Sequence, residues 1–510
     1  MINGFHFTAL ARWSKVAAFS TLLGLTVVAH AFTPSQQPPE TSGVPGNVVL
    51  ALSVEFPTGL QQSYSGAYSY TVKYDGYFDN RKCYTYSSTN EVFQPVSKLS
   101  VTDGTCPVST QWSGNLLNWL TMTNVDQFRY VMTGGARDNF SAMNSTYAGD
   151  TTARTVLIRS SSDRNSYTTT KTLTGLPGMP LAGTQLARSG GFGSKFVVAS
   201  SNPGGSITID RTNIDASCAT SPFTSASCFH VRVEVCKTVP IGQAVPDVGL
   251  EANCKGSYSG VPKPEGLIQE YANPLRFAAF GYLNETGQAR NGGVLRAAMK
   301  SVGALSATST GYVANTAAEW NATTGIQYTN PDSADATATS VSNSGIINYL
   351  NKFGFEQGYK GNDPVGELYY AAQLYLRGIA PPANYTSGTL TAASKDGFPV
   401  ITGSALQAGG TRDPMINTCQ KNFILGIGDI YTHCDGNLPG STKGVNSTCG
   451  TGLPTDTLNV QTLWDTTRAL EGLSDTGWVG GATSGTPYMA GLAHWANTND
   501  IRTDTNMPGK

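Results

Sequence analysis

NVVLALSV, residues 47–54, is a short, unbroken apolar run that follows Gly46 and ends at Glu55. Continuous hydrophobicity over so few residues predicts a strand covered on both faces, as in a parallel sheet. Two similar runs come much later, LRFAAFGYL at 275–283 and NFILGI at 422–427, the second closed by Gly428 and Asp429. Helical patterns lie between and after them. NLLNWLTMTNVDQFRYVM at 115–132 places Leu116, Trp119, Leu120, Thr123, Phe128, Val131 and Met132 near one face, and Gly134 and Gly135 stop it. Ile346, Ile347, Leu350 and Phe353 are spaced for a short helix capped by Ser344. Asp363 at a cap and Pro364 in the first turn predict a helix running to about Arg377. Residues 458–470 and 488–495 also read as helical. This order predicts an α/β fold with a mainly parallel sheet, its three apolar runs side by side and helix 115–133 packed on a face.

The connections are longer than such a core requires. They predict insertions at about 55–111, 150–265, 305–340 and 380–418. The largest carries strand signals at Thr155–Ile158, Lys195–Ala199, Ser206–Ile209 and Phe229–Val235. No repeat of 20–50 residues is visible, which disfavours a solenoid or propeller within the chain.

Composition points outside the cytosol. Of 510 residues only 13% are charged, against an ordinary level of about 25%. The 57 glycines and 26 prolines, with many Ser, Thr and Asn, imply a loop-rich protein with a neutral polar surface. A net charge of −1 argues against a nucleic-acid partner. A hydrophobic content of 39% suffices for a core.

Residues 1–31 read as a secretory signal. Arg12 and Lys15 precede the apolar segment Val16–Val28, and Ala29-His30-Ala31 is a small-x-small cleavage site. The mature chain is expected from Phe32, with a Pro-rich linker over 32–46 and no later transmembrane run. Export makes disulfides the default for the nine cysteines. Sequence neighbours suggest Cys83–Cys106, Cys218–Cys228 and Cys236–Cys254. Cys419, Cys434 and Cys449 leave one over, since either of the first two could pair with Cys449. No CxxC occurs, and only His230, His433 and His494 survive signal removal, so a zinc site has little support.

Ligands of open parallel sheets gather at the strands' carboxyl ends. Ser53 and Glu55 after the first run, Asp363 at a helix start and Asp429 after the third run converge there. The arrangement resembles a von Willebrand factor A domain. In that family an Asp-x-Ser-x-Ser motif, a Thr before a Pro-started helix and a later Asp hold a divalent cation, usually Mg²⁺. Here Ser53, Glu55, Pro57 and Asp363 replace the first four of those ligands, and only Asp429 matches by type. Two readings stay open. Either the redistributed carboxylates hold one Mg²⁺ or Ca²⁺, or they are a helix cap, a strand terminator and a solvated edge residue.

A broader resemblance rests on stretches in order along the chain: NVVLALSVEFPTG at 47–59, YDGYFDNRKCYTY at 74–86 and WSGNLLNWLTMTNVDQFRYVMTGGARD at 112–138. ARNGGVLRA at 289–297, DPVGELYYAAQLYLRG at 363–378, CQKNFILGIGDIYTHCDGNLPG at 419–440 and YMAGLAHWANTNDIR at 488–502 follow. The chain resembles the N-terminal region of the type IV pilus tip-associated adhesin and assembly family, the PilC/PilY type. That resemblance implies a von Willebrand factor A-like domain over 47–510. The family's C-terminal β-propeller with its calcium loop is expected to be absent. It further implies a non-enzymatic role in pilus biogenesis, adhesion and twitching motility at the outer membrane, cell surface or pilus tip. Minor pilins and host or abiotic surfaces would be its partners. A secreted A-domain-like binding protein unconnected to pili is the alternative. An enzyme finds no support in the motifs, as no G-x-S-x-G, Walker A or H-E-x-x-H occurs. Asp75 and Asp79 read as turn residues.

Overall fold

Gly46–Leu52 (β1) begins one residue before its apolar run, inside the expected linker, and Val49 and Leu50 are wholly buried. The computed structural model describes residues 44–55, 61–139, 147–160, 169–173, 175–180, 185–190, 194–200, 228–285, 290–355, 358–428, 432–444, 453–474, 485–502, 504–505 and 507. The signal, most of the linker and the strand signal at Ser206–Ile209 lie outside them. After β1 the chain forms β2 (Lys82–Ser87), β3 (Val92–Lys98), β4 (Trp112–Ser113), α1 (Gly114–Thr121) and α2 (Asn124–Thr133). Next come β5 (Thr155–Ile158), β6 (Thr169–Thr172), β7 (Gln185–Gly190), β8 (Lys195–Ser200), β9 (Cys228–His230) and β10 (Arg232–Val235). Then follow β11 (Leu275–Gly281), β12 (Val294–Lys300), α3 (Ile346–Lys352), α4 (Val365–Leu376), β13 (Asn422–Ile427), α5 (Val460–Leu470) and α6 (Tyr488–Thr498).

The three apolar runs do lie side by side. The central sheet has the order β12–β11–β1–β13, with β1 parallel to both neighbours and β12 antiparallel to β11. Two details differ from the sequence reading. Arg296 and Lys300 hide β12 by interrupting its hydrophobic pattern, yet Arg296 is buried and donates to the carbonyls of Lys395 and Tyr282. β13 is not covered on both faces: Leu425 is 43% exposed, because β13 is the outer strand of this sheet among the described residues.

The expected helix 115–133 is two helices. Met122 is extended, and the Thr123 hydroxyl accepts the Asp126 N–H as the cap of α2. Gly134, at φ 81°, ends α2 as predicted. The break lets the two halves serve different cores. Leu116, Trp119 and Leu120 of α1 pack with an aromatic cluster, whereas Val125 and Met132 of α2 join the central core. Arg129 on α2 donates to the carbonyls of Leu350 and Phe353, at 2.7 and 3.0 Å, and ties α2 to α3. Val131, expected on the apolar face, is half exposed.

The aromatic cluster unites two stretches that the sequence suggested as separate insertions. A five-stranded sheet, β4–β2–β3–β10–β5, draws strands from both 55–111 and 150–265. Phe93 meets Trp112, Phe196 and Phe229 inside it. Cys83–Cys106 and Cys236–Cys254 are bonded as predicted, with Cα atoms 5.9 and 5.6 Å apart. Cys228 and Cys434 are also disulfide-bonded, while Cys419 is exposed and free. Cys218 and Cys449 lie outside the described residues. Among the described residues no helix is long and apolar enough to cross a membrane.

Candidate functional site

The carboxyl end of β1 brings together three of the four predicted site residues; the fourth, Asp429, lies outside the described residues. Ser53 continues β1 by donating its N–H to the Ile427 carbonyl at 2.9 Å. Glu55 has no exposed surface and forms a parallel bridge with Lys360. Asp363 precedes α4 but does not cap it through its side chain. Pro364 takes the cap position, and Asp363 Oδ1 instead lies 2.6 Å from His433 Nδ1. Ser344 likewise does not cap α3. Gly345 stands there, and Glu319 accepts the first N–H groups of that helix.

Tyr282 marks the centre of this edge. Its hydroxyl donates to Ser53 Oγ at 3.3 Å. Burial pushes that hydroxyl far above its usual range, and the charges of Asp363, Glu55 and Asp435 add to the effect. Those carboxylates therefore surround one buried phenol.

Two further acids at this edge were missed in the sequence. Glu367, in the first turn of α4, and Asp435 are both buried and hydrogen-bonded to each other. Asp435 Oδ1 accepts the Gly366 N–H, and Oδ2 accepts from Thr486 and Thr432 hydroxyls at 3.0 and 3.2 Å. A Cβ at position 366 would stand 2.7 Å from Asp435 Oδ1, so only glycine permits this approach. Glu367 Oε1 accepts the Asn437 N–H at 2.6 Å. Burial raises both acids, and the Asp435 charge drives Glu367 highest, so Glu367 keeps its proton in the pair. The signal lay in VGE and CDGN. There Glu in a first turn and Asp before Gly have ordinary explanations.

Of the residues expected to hold the divalent cation of the von Willebrand factor A resemblance, Ser53 and Asp363 are engaged within the protein. A hard cation wants several ionised oxygens. Here the Ser53 hydroxyl is engaged by Tyr282, Asp363 by His433, and Glu367 is protonated. Lys360 also places a buried ammonium within electrostatic reach of Glu367, and burial lowers it to about 8. Among the described residues one cluster has metal-ligand spacing, Cys236, Glu251 and Cys254, but its cysteines are bonded to each other and offer no thiolate. What the edge provides is a rigid, buried polar network.

A cleft of about 660 Å³ lies beside α4, lined by Tyr370, Leu374, Ile379, Pro382, Asn384 and Asp456. Arg377 holds Asp456 with two bonds, at 2.6 and 3.0 Å. Burial would raise the Asp456 carboxyl, but the Arg377 and Tyr370 hydrogen bonds prevail and bring it down to about 2.

Comparison with known proteins places these parts. Two family models match, one described as the small alpha/beta domain of PilY1 homologs over residues 65–202, the other as the second domain of PilY1 homologs over 286–496. The first covers β2 to β8 with α1 and α2, the second most of β12 to α6. A type IV pilus biogenesis factor PilY1 homolog of Xylella fastidiosa is 34% identical over 544 aligned residues, which cover 96% of this chain and 42% of that protein. Another protein of the same description from that organism is 25% identical over 256 residues, covering 44% of this chain and 16% of its own length. The chain thus spans less than half the length of these relatives. No solved structure matches.

Proposed function

The chain belongs to the PilY1-type family, and from that premise we propose that it serves type IV pilus biogenesis as a non-catalytic structural and adhesive component. The observation that carries this reading is the 34% identity to a type IV pilus biogenesis factor over 96% of the chain. In the proposal the signal at 1–31 directs export, and the protein works at the cell surface or pilus tip. There it engages minor pilins and contacts host or abiotic surfaces. The bonded cysteines support export, because disulfides persist in oxidising compartments. The central sheet supports a von Willebrand factor A-like platform: the first strand lies between two parallel strands, and a helix starting behind Pro364 follows. The engaged side chains at the strand ends favour surface recognition without a bound cation.

Deleting the coding sequence and counting surface pili by electron microscopy tests the reading, together with immunoblots of sheared pili. The expected result is loss of pili, restored by the intact gene, with the chain present in the pilus fraction. Normal piliation and absence from that fraction would overturn it, in favour of an A-domain-like binding protein unconnected to pili.

A further inference from the structure

A second group of charges, Glu319 buried and Lys300 and Asp332 partly buried, lies at the end of β12, away from the carboxyl edge of β1. Lys300, the last residue of β12, points its ammonium at two acids. Nζ is 2.7 Å from Asp332 Oδ1 and 2.8 Å from Glu319 Oε1, and it donates to the Ala317 carbonyl at 3.0 Å. Glu319 has no exposed surface. Its oxygens accept the N–H groups of Ile346 and Ile347, at 2.8 and 2.9 Å, so α3 fixes it in place. Asp332 is held from behind, its N–H donating to the Ser344 hydroxyl at 2.8 Å. Its Oδ2 is buried without a hydrogen-bond partner among the described residues. The nearest other charges, Arg412 and Asp335, are paired with each other.

We propose that Lys300 and Asp332 become joined by an intramolecular amide bond, with Glu319 carrying the protons. Glu319 takes a proton from the ammonium, and the freed amine attacks Cγ of the protonated Asp332 carboxyl. The N–C bond forms, one carboxyl oxygen leaves as water, and Glu319 returns its proton to that leaving oxygen. The amine loses two protons in all, the first through Glu319 to the departing water and the second to solvent, which balances the proton that the Asp332 carboxylate had taken up. One water departs, and no oxidant or activating group is needed.

Burial alone would lower the Lys300 ammonium, but the Glu319 and Asp332 charges prevail and raise it, so the loss of its proton to Glu319 is the demanding part of the step. Three features favour the rest. The two reacting groups are held in contact, which replaces a bimolecular encounter by an intramolecular one. Two carboxylates beside one ammonium leave surplus negative charge in a buried place, and protonating one of them relieves it. Burial is the main cause that lifts the Asp332 carboxyl to about 6, so its protonated form is accessible near neutrality. The product is a neutral amide in place of a desolvated ion pair. It would close the segment 301–331, which carries the exposed hairpin Leu305–Thr308 and Gly311–Ala314, onto the edge strand β12. Such a closure restrains the unfolded chain as a disulfide does.

Intact-mass measurement of the purified chain decides the matter, with tryptic mapping. No Lys or Arg lies between 301 and 351. The expected result is a chain lighter by one water, in which trypsin fails to cut after Lys300 and releases 297–352 as one fragment. Chymotryptic cuts after Tyr312, Trp320 or Tyr328 should leave its two parts joined. Lys300→Arg should restore the full mass, and Glu319→Gln should slow bond formation at least tenfold. A wild-type chain of full mass that trypsin cuts after Lys300, after days at pH 6–7, overturns the proposal. So does a water loss that maps to an Asp-Gly site elsewhere. The wild-type measurement stands alone, so a variant that fails to fold does not shield the idea.

Discussion

The central sheet and the aromatic core solve the same packing problem with different means. Around β1 and β11 small and aliphatic residues such as Val49, Leu50, Ala278 and Ala279 pack with a few aromatic rings, Phe277 and Phe280 among them. The strands come from segments far apart, since Val49 pairs with both Ala278 and Ile424. Around β2, β3 and β10 the filling is richer in aromatic rings, several strands of the sheet are short (β5 and β10 have four residues each), and disulfides tie the chain at Cys83–Cys106 and Cys236–Cys254. Short strands with many turns bury less backbone-paired area, and covalent links offset the chain entropy that hydrophobic burial alone leaves. The difference teaches where each core is vulnerable: the central sheet to a lost side chain, the aromatic core to a lost bond.

The largest effect should follow from Phe280→Ala. Phe280 has no exposed surface and lies against Tyr375 of α4, its ring 5.8 Å away. Removing it should cost about 3–5 kcal/mol, because a rigid parallel core collapses poorly around a cavity. Urea unfolding measures it, and a cost below about 1 kcal/mol would show the central sheet to be looser than its burial implies.

Replacing Cys83 and Cys106 together by serine should cost somewhat less, about 2–4 kcal/mol. Hydrogen exchange should then quicken over 82–113 and 155–158 while 46–52 and 275–281 stay protected. Equal loss of protection in both regions would mean that the two cores unfold as one unit, and would erase the contrast drawn between them.

Where the sequence was readable follows the same division. β1, β11 and β13 stood out because parallel pairing favours unbroken apolar runs. β12 did not, since Arg296 and Lys300 look like solvated residues until their buried carbonyl and carboxylate partners are seen. The break between α1 and α2 was hidden because Thr123 satisfies the helical spacing and also caps a new helix. At the carboxyl edge, Ser53, Glu55 and Asp363 were found from strand order alone. Glu367 and Asp435 escaped because their meeting depends on Gly366 admitting a carboxylate from 69 residues away, which no local pattern reveals. Neighbouring cysteines gave the two observed pairs, but nothing local distinguished bonded Cys434 from free Cys419.

The smallest effect at acid pH belongs to Glu367→Gln, and its pH dependence sharpens the contrast from the polar side. Glu367 is held protonated in the folded chain, by burial first and by the Asp435 charge next. Below the ordinary glutamate pKa of about 4.3, both folded and unfolded chains carry the proton, and its effect on stability does not change with pH. As pH rises past that value the unfolded chain releases the proton and the folded chain keeps it. Stability then falls by up to about 1.4 kcal/mol per pH unit until Glu367 itself ionises. Glutamine keeps the shape and does not titrate. Its carbonyl can still accept the Asn437 N–H, and its amide can donate to Asp435. At pH 4 the variant should therefore differ from wild type by less than about 1 kcal/mol. By pH 7 it should be the more stable of the two, with the gap widening as pH rises. Urea unfolding across pH 4–8 reads this directly. Parallel curves for the two proteins would mean that Glu367 is ionised in the fold, and that Lys360 or an unseen cation balances it.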